Sequence, residues 1–181
     1  MFKNFIFIMT LMLLVTTSLY AQDLSFGPQV GYLKAKDADD GVFMVGAALR
    51  ARLTTTLGVE GSIGYRQEEY GEGAATVKSW PVMVTGLYYP VDIAYAAIGA
   101  GWYNTTIDYD ETIGVELENE TSQEFGWHFG GGAEIPLGGR MKLTGDIKYV
   151  FIDYDFDEIP GAGEIDANFY VINVGLLFNL R

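Results

Sequence analysis

Near the carboxyl end of the chain, Tyr170, Ile172, Val174, Leu176, Phe178 and Leu180 occupy every second position, and Asn173, Gly175 and Asn179 stand among the residues between them. Side chains alternate across a strand, so this stretch has one continuous apolar face and one small or polar face. Its length suits a tilted strand that crosses a bilayer. A soluble domain rarely carries such a strip to its very end, so the strip demands either a partner sheet or lipid.

The same period-two pattern recurs along the chain and predicts eight strands, at about 25–35, 42–53, 57–66, 77–89, 93–103, 124–136, 140–152 and 167–180. Their connections alternate in length. Thr54-Thr55-Thr56, Pro90-Val91-Asp92 and Leu137-Gly138-Gly139 are short enough for tight hairpins. The other four connections carry acid: Asp37, Asp39 and Asp40; Glu68, Glu69 and Glu72; Asp108, Asp110, Glu111, Glu116, Glu118 and Glu120; Asp153, Asp155, Asp157, Glu158, Glu164 and Asp166. These clusters hold 18 of the 24 acidic residues, which places the acid at one end of an up-and-down structure.

The apolar faces can be named strand by strand. The second carries Phe43, Val45, Ala47, Leu49 and Leu53, and the third Leu57, Val59, Ile63 and Tyr65. The sixth carries Phe125, Trp127, Phe129, Ala133 and Ile135, and the seventh Met141, Leu143, Ile147, Tyr149 and Phe151. Towards the acidic end this face bears a ring of aromatics: Tyr32, Phe43, Tyr65, Trp80, Trp102, Trp127, Phe151 and Tyr170. Such a girdle belongs at a membrane–water boundary.

The opposite faces mix glycine with charge. Gly58, Glu60, Gly64 and Arg66 share the third strand, and Glu124, Gly126, His128, Gly130, Gly132 and Glu134 the sixth. Hairpin pairing sets Arg50 opposite Glu60 and Glu134 opposite Lys142, with Asp146 and Lys148 near His128. Facing charges of opposite sign suit a narrow interior in which each ion needs a partner. The alternative is a soluble barrel of the lipocalin or avidin kind, apolar side inward; its polar surface would carry many mid-strand Lys, Thr and Glu, whereas this face is rich in glycine. The expected fold is therefore all-β, an eight-stranded antiparallel up-and-down transmembrane β-barrel.

The amino terminus reads as a cleaved signal peptide over 1–21: Lys3, an apolar run from Phe5 to Val15, then small residues up to Ala21. A retained membrane helix is the alternative, but the run is short for a span. The barrel domain is then 22–181. The absence of cysteine excludes disulfides, a thiolate metal site and a lipoprotein anchor. A net charge of −13 argues against nucleic acid as a partner, since phosphate binding needs clustered Lys and Arg.

In the order and spacing of its strands the chain resembles the small outer-membrane β-barrel family that includes the OmpA membrane domain and OmpX. The resemblance is carried by Tyr95 to Tyr103, by Phe125-Gly126-Trp127-His128-Phe129-Gly130-Gly131-Gly132 and by Lys148-Tyr149. It implies an integral protein of the cell outer membrane. The chain's end, with Asn173, Gly175, Phe178 and Leu180, is similar to the family's assembly signal, which implies the outer-membrane insertion machinery as a partner during biogenesis. It departs from that signal by ending in Leu180-Arg181 instead of an aromatic. The peptidoglycan-binding domain that follows the barrel in OmpA is not implied.

Eight strands enclose an interior that side chains can fill, so Arg50, Arg52, Arg66, Glu60, Glu134, Lys142 and Asp146 are expected to plug it with ion pairs. His128 is the single histidine, and some eight-stranded barrels are lipid A deacylases or acyltransferases built on His, Ser and an acid. No serine follows His128 in its strand, so no catalytic residue is assigned and the protein is expected not to be an enzyme. Asp153, Asp155, Asp157 and Glu164 match EF-hand positions 1, 3, 5 and 12, but Glu158 stands where that loop needs glycine. No cofactor and no specific metal ligand is assigned; loose divalent-cation binding at the acidic loops is physically reasonable. The expected role is a non-enzymatic barrel, structural or recognising partners through acidic surface loops, a monomer in outer-membrane lipid. The alternatives are an OmpW-like conduit for small hydrophobic molecules, or a narrow porin-like channel.

Overall fold

A computed structural model describes residues 23–35, 40–70, 75–109, 120–154, 165–166 and 168–180. The leader and most of the acidic loop residues, including Asp37, Asp39, Glu72, Asp110, Glu111, Glu116, Glu118, Asp155, Asp157, Glu158 and Glu164, lie outside the described residues. The strands are β1 (Asp23–Ala35), β2 (Val42–Arg52), β3 (Leu57–Tyr70), β4 (Ala75–Val91), β5 (Ala94–Tyr109), β6 (Glu120–Gly138), β7 (Met141–Tyr154), β8 (Ile165–Asp166) and β9 (Phe169–Asn179).

Each long strand pairs antiparallel with its sequence neighbour, from β1–β2 through to β6–β7. The ring closes because β9 pairs β7 on one side and β1 on the other, from Ser25↔Asn179 to Ala35↔Phe169. The short β8 adds two residues to the outer end of β7. The result is a closed eight-stranded barrel made of β1–β7 and β9, as expected. The inner end carries the tight turns; Gly138 and Gly139 take positive φ (94° and 60°) in the β6–β7 turn, where residues with a Cβ would be strained.

The barrel is inside out. Along β9 burial alternates strictly, with Phe169, Val171, Asn173, Gly175 and Leu177 inward and Tyr170, Ile172, Val174, Leu176 and Phe178 outward. Phe43 is 70% and Ile98 67% exposed on the outer wall, while Glu60 and Lys148 are almost fully covered. No aqueous fold tolerates that exchange, and lipid is the medium that does. Tyr65, Trp80, Trp127 and Tyr170 all stand outward near the loop end, where the girdle was expected. It is densest on β6, β7 and β9: Trp127 stacks on Phe151 at 4.0 Å and 9°, and Tyr149 meets both Phe151 and Tyr170 edge-on.

The strands differ from expectation mainly in length. The third, expected to stop at 66, runs to Tyr70; the fifth, expected to stop at 103, runs to Tyr109; the sixth starts at Glu120, ahead of the expected 124. Pairing of Tyr70 with Ala75, Ala75 with Tyr109 and Ile107 with Glu120 raises this side of the wall above the girdle. Period two fades there because both faces are polar, so alternation could not mark the ends.

Candidate functional site: the barrel interior

Most buried inward positions fall into two layers stacked along the barrel axis, with Arg66, Glu68, Ser79 and Thr105 nearer the loop end. The layer nearer the tight turns is ionic. Arg50 on β2 donates from Nε to Glu60 Oε2 on β3 at 2.9 Å, pairs with the same carboxylate through Nη2, and reaches Glu134 Oε2 on β6 at 3.0 Å through Nη1. Lys148 on β7 donates to Glu60 Oε1 at 3.2 Å and faces Asp146 Oδ1 at 3.5 Å. Lys142 bridges Glu134 Oε1 at 3.0 Å and Asp23.

Neutral groups complete the layer. Tyr95 accepts from Arg50 Nη2 and donates to Asp146 Oδ2, each at 3.1 Å; Tyr89 donates to Glu134 Oε2 at 3.2 Å; and Asn173 Nδ2 donates to Asp146 Oδ1 at 2.9 Å. Arg52 lies over the Tyr89 ring at 3.9 Å and donates to the Asp92 carbonyl. Four cations (Arg50, Arg52, Lys142 and Lys148) thus share the layer with four carboxylates (Asp23, Glu60, Glu134 and Asp146), so the charges of the layer balance once Asp23, Arg52 and Lys142 at its partly exposed rim are included. Balance matters because an unpaired ion in this setting costs several kcal/mol.

The pairing Arg50↔Glu60 is as expected from the hairpin. The expected Glu134–Lys142 register is not: Glu134 stands opposite Thr144 and Lys142 opposite Pro136, with an irregularity between Pro136 and Gly138. The ion pair still forms, diagonally, because the long lysine stem spans the offset. Arg66 stays out of this network; it sits towards the loop end with Glu68 at 3.3 Å.

Above the ionic layer the interior is apolar, which corrects the expectation of a charged and glycine-packed lumen. Leu33, Met44, Met83, Tyr103, Val150, Ile152, Phe169 and Val171 form one buried cluster drawn from six strands. Tyr103 on β5 and Phe169 on β9 meet edge-on at 5.8 Å and 85°, although their strands are not neighbours, so the contact crosses the lumen. Glycine remains important as the complement of these side chains. A Cβ on Gly64 would lie 2.4 Å from Met44 Sδ, one on Gly126 would lie 2.7 Å from Ile152 Cγ1, and one on Gly132 would lie 2.7 Å from Tyr95 Cζ.

His128 lies between the layers and is fully buried. Its Nε2 is 2.9 Å from Thr85 Oγ1, and its Nδ1 has no partner among the described residues. The hydroxyl beside it is therefore a threonine, and no carboxylate orients the ring through Nδ1. Asn173 and Gly175, named above for their likeness to an assembly signal, also point inward: the first bonds Asp146, and the second leaves room for Thr144 and Gln29. Sequence reasoning missed Tyr89, Tyr95 and Asn173 as network members and the whole apolar layer. Their inward parity was readable from the alternation, but their partners across the lumen were not.

Comparison with known proteins agrees with this geometry. Residues 7–178 match the family described as outer membrane protein beta-barrel domain. Among solved structures, Neisserial surface protein A superposes with a TM-score of 0.60 at 11% identity, covering 86% of this chain and 96% of that one. Ail, the attachment invasion locus protein of Yersinia pestis, gives 0.54 at 14% identity over 87% and 97%. The outer membrane protein OprG of Pseudomonas aeruginosa gives 0.54 at 14% over 90% and 97%. At these identities the likeness is one of fold. No curated protein matches. The family match runs along nearly the whole chain and the inside-out barrel agrees with it: the chain belongs to the outer membrane protein beta-barrel domain family and resides in the cell outer membrane.

Proposed function

We propose that this protein is a non-enzymatic integral outer-membrane barrel whose interior is closed by its own side chains, and which acts structurally or through recognition by its acidic surface loops. The observation that carries this reading is that side chains meet across the lumen at two levels: Arg50 with Glu134 and Lys148 with Glu60 at the lower, Tyr103 with Phe169 at the upper. A lumen bridged twice is a core, which suits an eight-stranded barrel. Full burial of His128 beside Thr85 supports the non-enzymatic reading, since a general base must reach substrate.

The partners follow from the same chemistry. Residues 1–21 act as the export signal, the terminal strand is read by the insertion machinery, and the mature barrel is a monomer surrounded by lipid. The 18 acidic residues clustered in the loop regions favour divalent cations or basic partners and disfavour polyanions. Ail, by contrast, is described in complex with the heparin analogue sucrose octasulfate.

Membrane fractionation with heat-modifiable gel mobility, planar-bilayer recording and a surface pull-down test the reading together. A barrel that shifts on heating, is electrically silent and captures a loop-dependent partner supports it; a large steady conductance sinks the closed interior. A second reading, an OmpW-like conduit for small hydrophobic molecules, is favoured by one observation, the apolar character of the upper interior. It requires that layer to open, and uptake assays in a deletion strain separate the two.

A further inference from the structure

The two interior layers are both packed, yet they oppose an ion in different ways. In the ionic layer the central cations have more than one carboxylate partner: Arg50 holds Glu60 and Glu134, Lys148 holds Glu60 and Asp146. A permeating ion can replace one partner of such a pair without losing all its electrostatic contacts. Besides Arg52 Nε at the lower rim, three buried polar atoms near this layer have no partner among the described residues: Ser62 Oγ, His128 Nδ1 and Asn173 Oδ1. They come from β3, β6 and β9, on different sides of the lumen, and buried atoms of this kind are usual partners of internal water.

These atoms face the base of the apolar layer. A Cβ on Gly31 would lie 2.7 Å from Asn173 Oδ1 and 3.1 Å from Met44 Cε, and Ser62 is in register with Met83. Above them, Val150 and Ile152 are 0% and 1% exposed, and Tyr103 closes against Phe169 across the lumen. The polar group that this cluster carries among the described residues, the Tyr103 hydroxyl, donates to Met83 Sδ at 3.5 Å. An ion entering here loses its water and gains nothing in exchange, which is how a hydrophobic constriction blocks conduction.

We propose that the barrier to ion passage is the apolar layer, and that the ionic layer beneath it is hydrated around Ser62, His128 and Asn173 and is not itself the seal. This inference rests on the closed-interior reading above. The gate is the Tyr103–Phe169 contact with the Met44 and Met83 side chains packed below it. Methionine is flexible, so the packing beneath the ring contact can adjust as the contact parts.

The full chain, refolded and checked by heat-modifiable mobility, is recorded in planar bilayers in potassium chloride in three forms: unmodified, Tyr103→Ser/Phe169→Ser, and Glu60→Gln. The unmodified protein and Glu60→Gln are expected to be silent, and the double serine form to conduct at least about tenfold above the unmodified baseline. Silence of the double serine form, or conduction by Glu60→Gln with the apolar layer intact, overturns the inference while leaving the closed interior standing. A large steady conductance of the unmodified protein overturns the closed interior, and this inference with it. If the double serine form fails the mobility check, Val150→Thr/Met83→Gln, which nearly conserves volume, is judged by the same criteria.

Discussion

The lower and upper halves of the interior are built from the same kind of position, inward residues of the same strands, yet they are held in opposite ways. In the lower half each side chain is specified by its partners: Glu60 meets both Arg50 and Lys148, and a neutral side chain at that position would leave two cations without their carboxylate. In the upper half Met44, Val150 and Phe169 are specified by volume and shape, and Met83 by these together with the hydrogen bond it accepts from Tyr103. Removal of one member should therefore leave an uncompensated charge below but only a cavity above. The comparison teaches that polarity of a barrel lumen is a property of a level, not of the lumen as a whole.

The sharpest way to break this contrast is to remove a shared carboxylate. Glu60→Ala leaves Arg50 and Lys148 short of a partner in a buried site and is expected to cost about 4 kcal/mol. Urea titration followed by gel mobility reads it, and a loss below about 1 kcal/mol would mean that the remaining partners, Glu134 and Asp146, suffice to hold Arg50 and Lys148. Next in size, Phe169→Ala should cost about 3 kcal/mol through the cavity it opens against Tyr103. An equal or larger loss than for Glu60→Ala would reverse the order of the two layers.

The glycines allow a finer comparison. A methyl on Gly132 meets the Gly145 carbonyl at 2.4 Å and the Asp146 Cβ at 2.6 Å, while one on Gly64 meets the movable Met44 Sδ at 2.4 Å. Gly132→Ala is expected to destabilise by about 2–3 kcal/mol and Gly64→Ala by about 1 kcal/mol, and the second penalty is expected to vanish when it is measured in a Met44→Ala background. Equal penalties would mean that the upper layer is as rigid as the lower. Smallest is Thr85→Val, which removes the hydrogen-bond partner of His128 and should cost about 1 kcal/mol. A changed His128 side-chain nitrogen resonance with an unaltered barrel spectrum would confirm that only this bond is lost.

Much of the barrel was legible in the chain. Alternation from Tyr170 to Phe178, the hairpin pair Arg50–Glu60 and the outward aromatics Tyr65, Trp80 and Trp127 all stand where period two places them. The Glu134–Lys142 register was not, because the irregularity between Pro136 and Gly138 depends on how the turn is closed. The extra height of β3 to β6 was not either, since polar residues on both faces erase the alternation there. The upper layer escaped for a different reason: Met44, Met83, Tyr103 and Phe169 are ordinary apolar residues whose inward parity was visible but whose meeting was not.

What the sequence determined by itself is facing: in a strand, the identity of a position sets its side of the wall, so an oily exterior, a polar-bearing interior and the ends carrying turns or acid follow from spacing alone. What only the tertiary structure decided is which residues meet across the lumen. Tyr103 touches Phe169, Lys148 reaches Glu60 and Asn173 bonds Asp146 because the ring closes through β9 with one particular register. Local periodicity acts along a strand, whereas closure and stagger are properties of all eight strands at once, and the chemistry of the interior depends on the second.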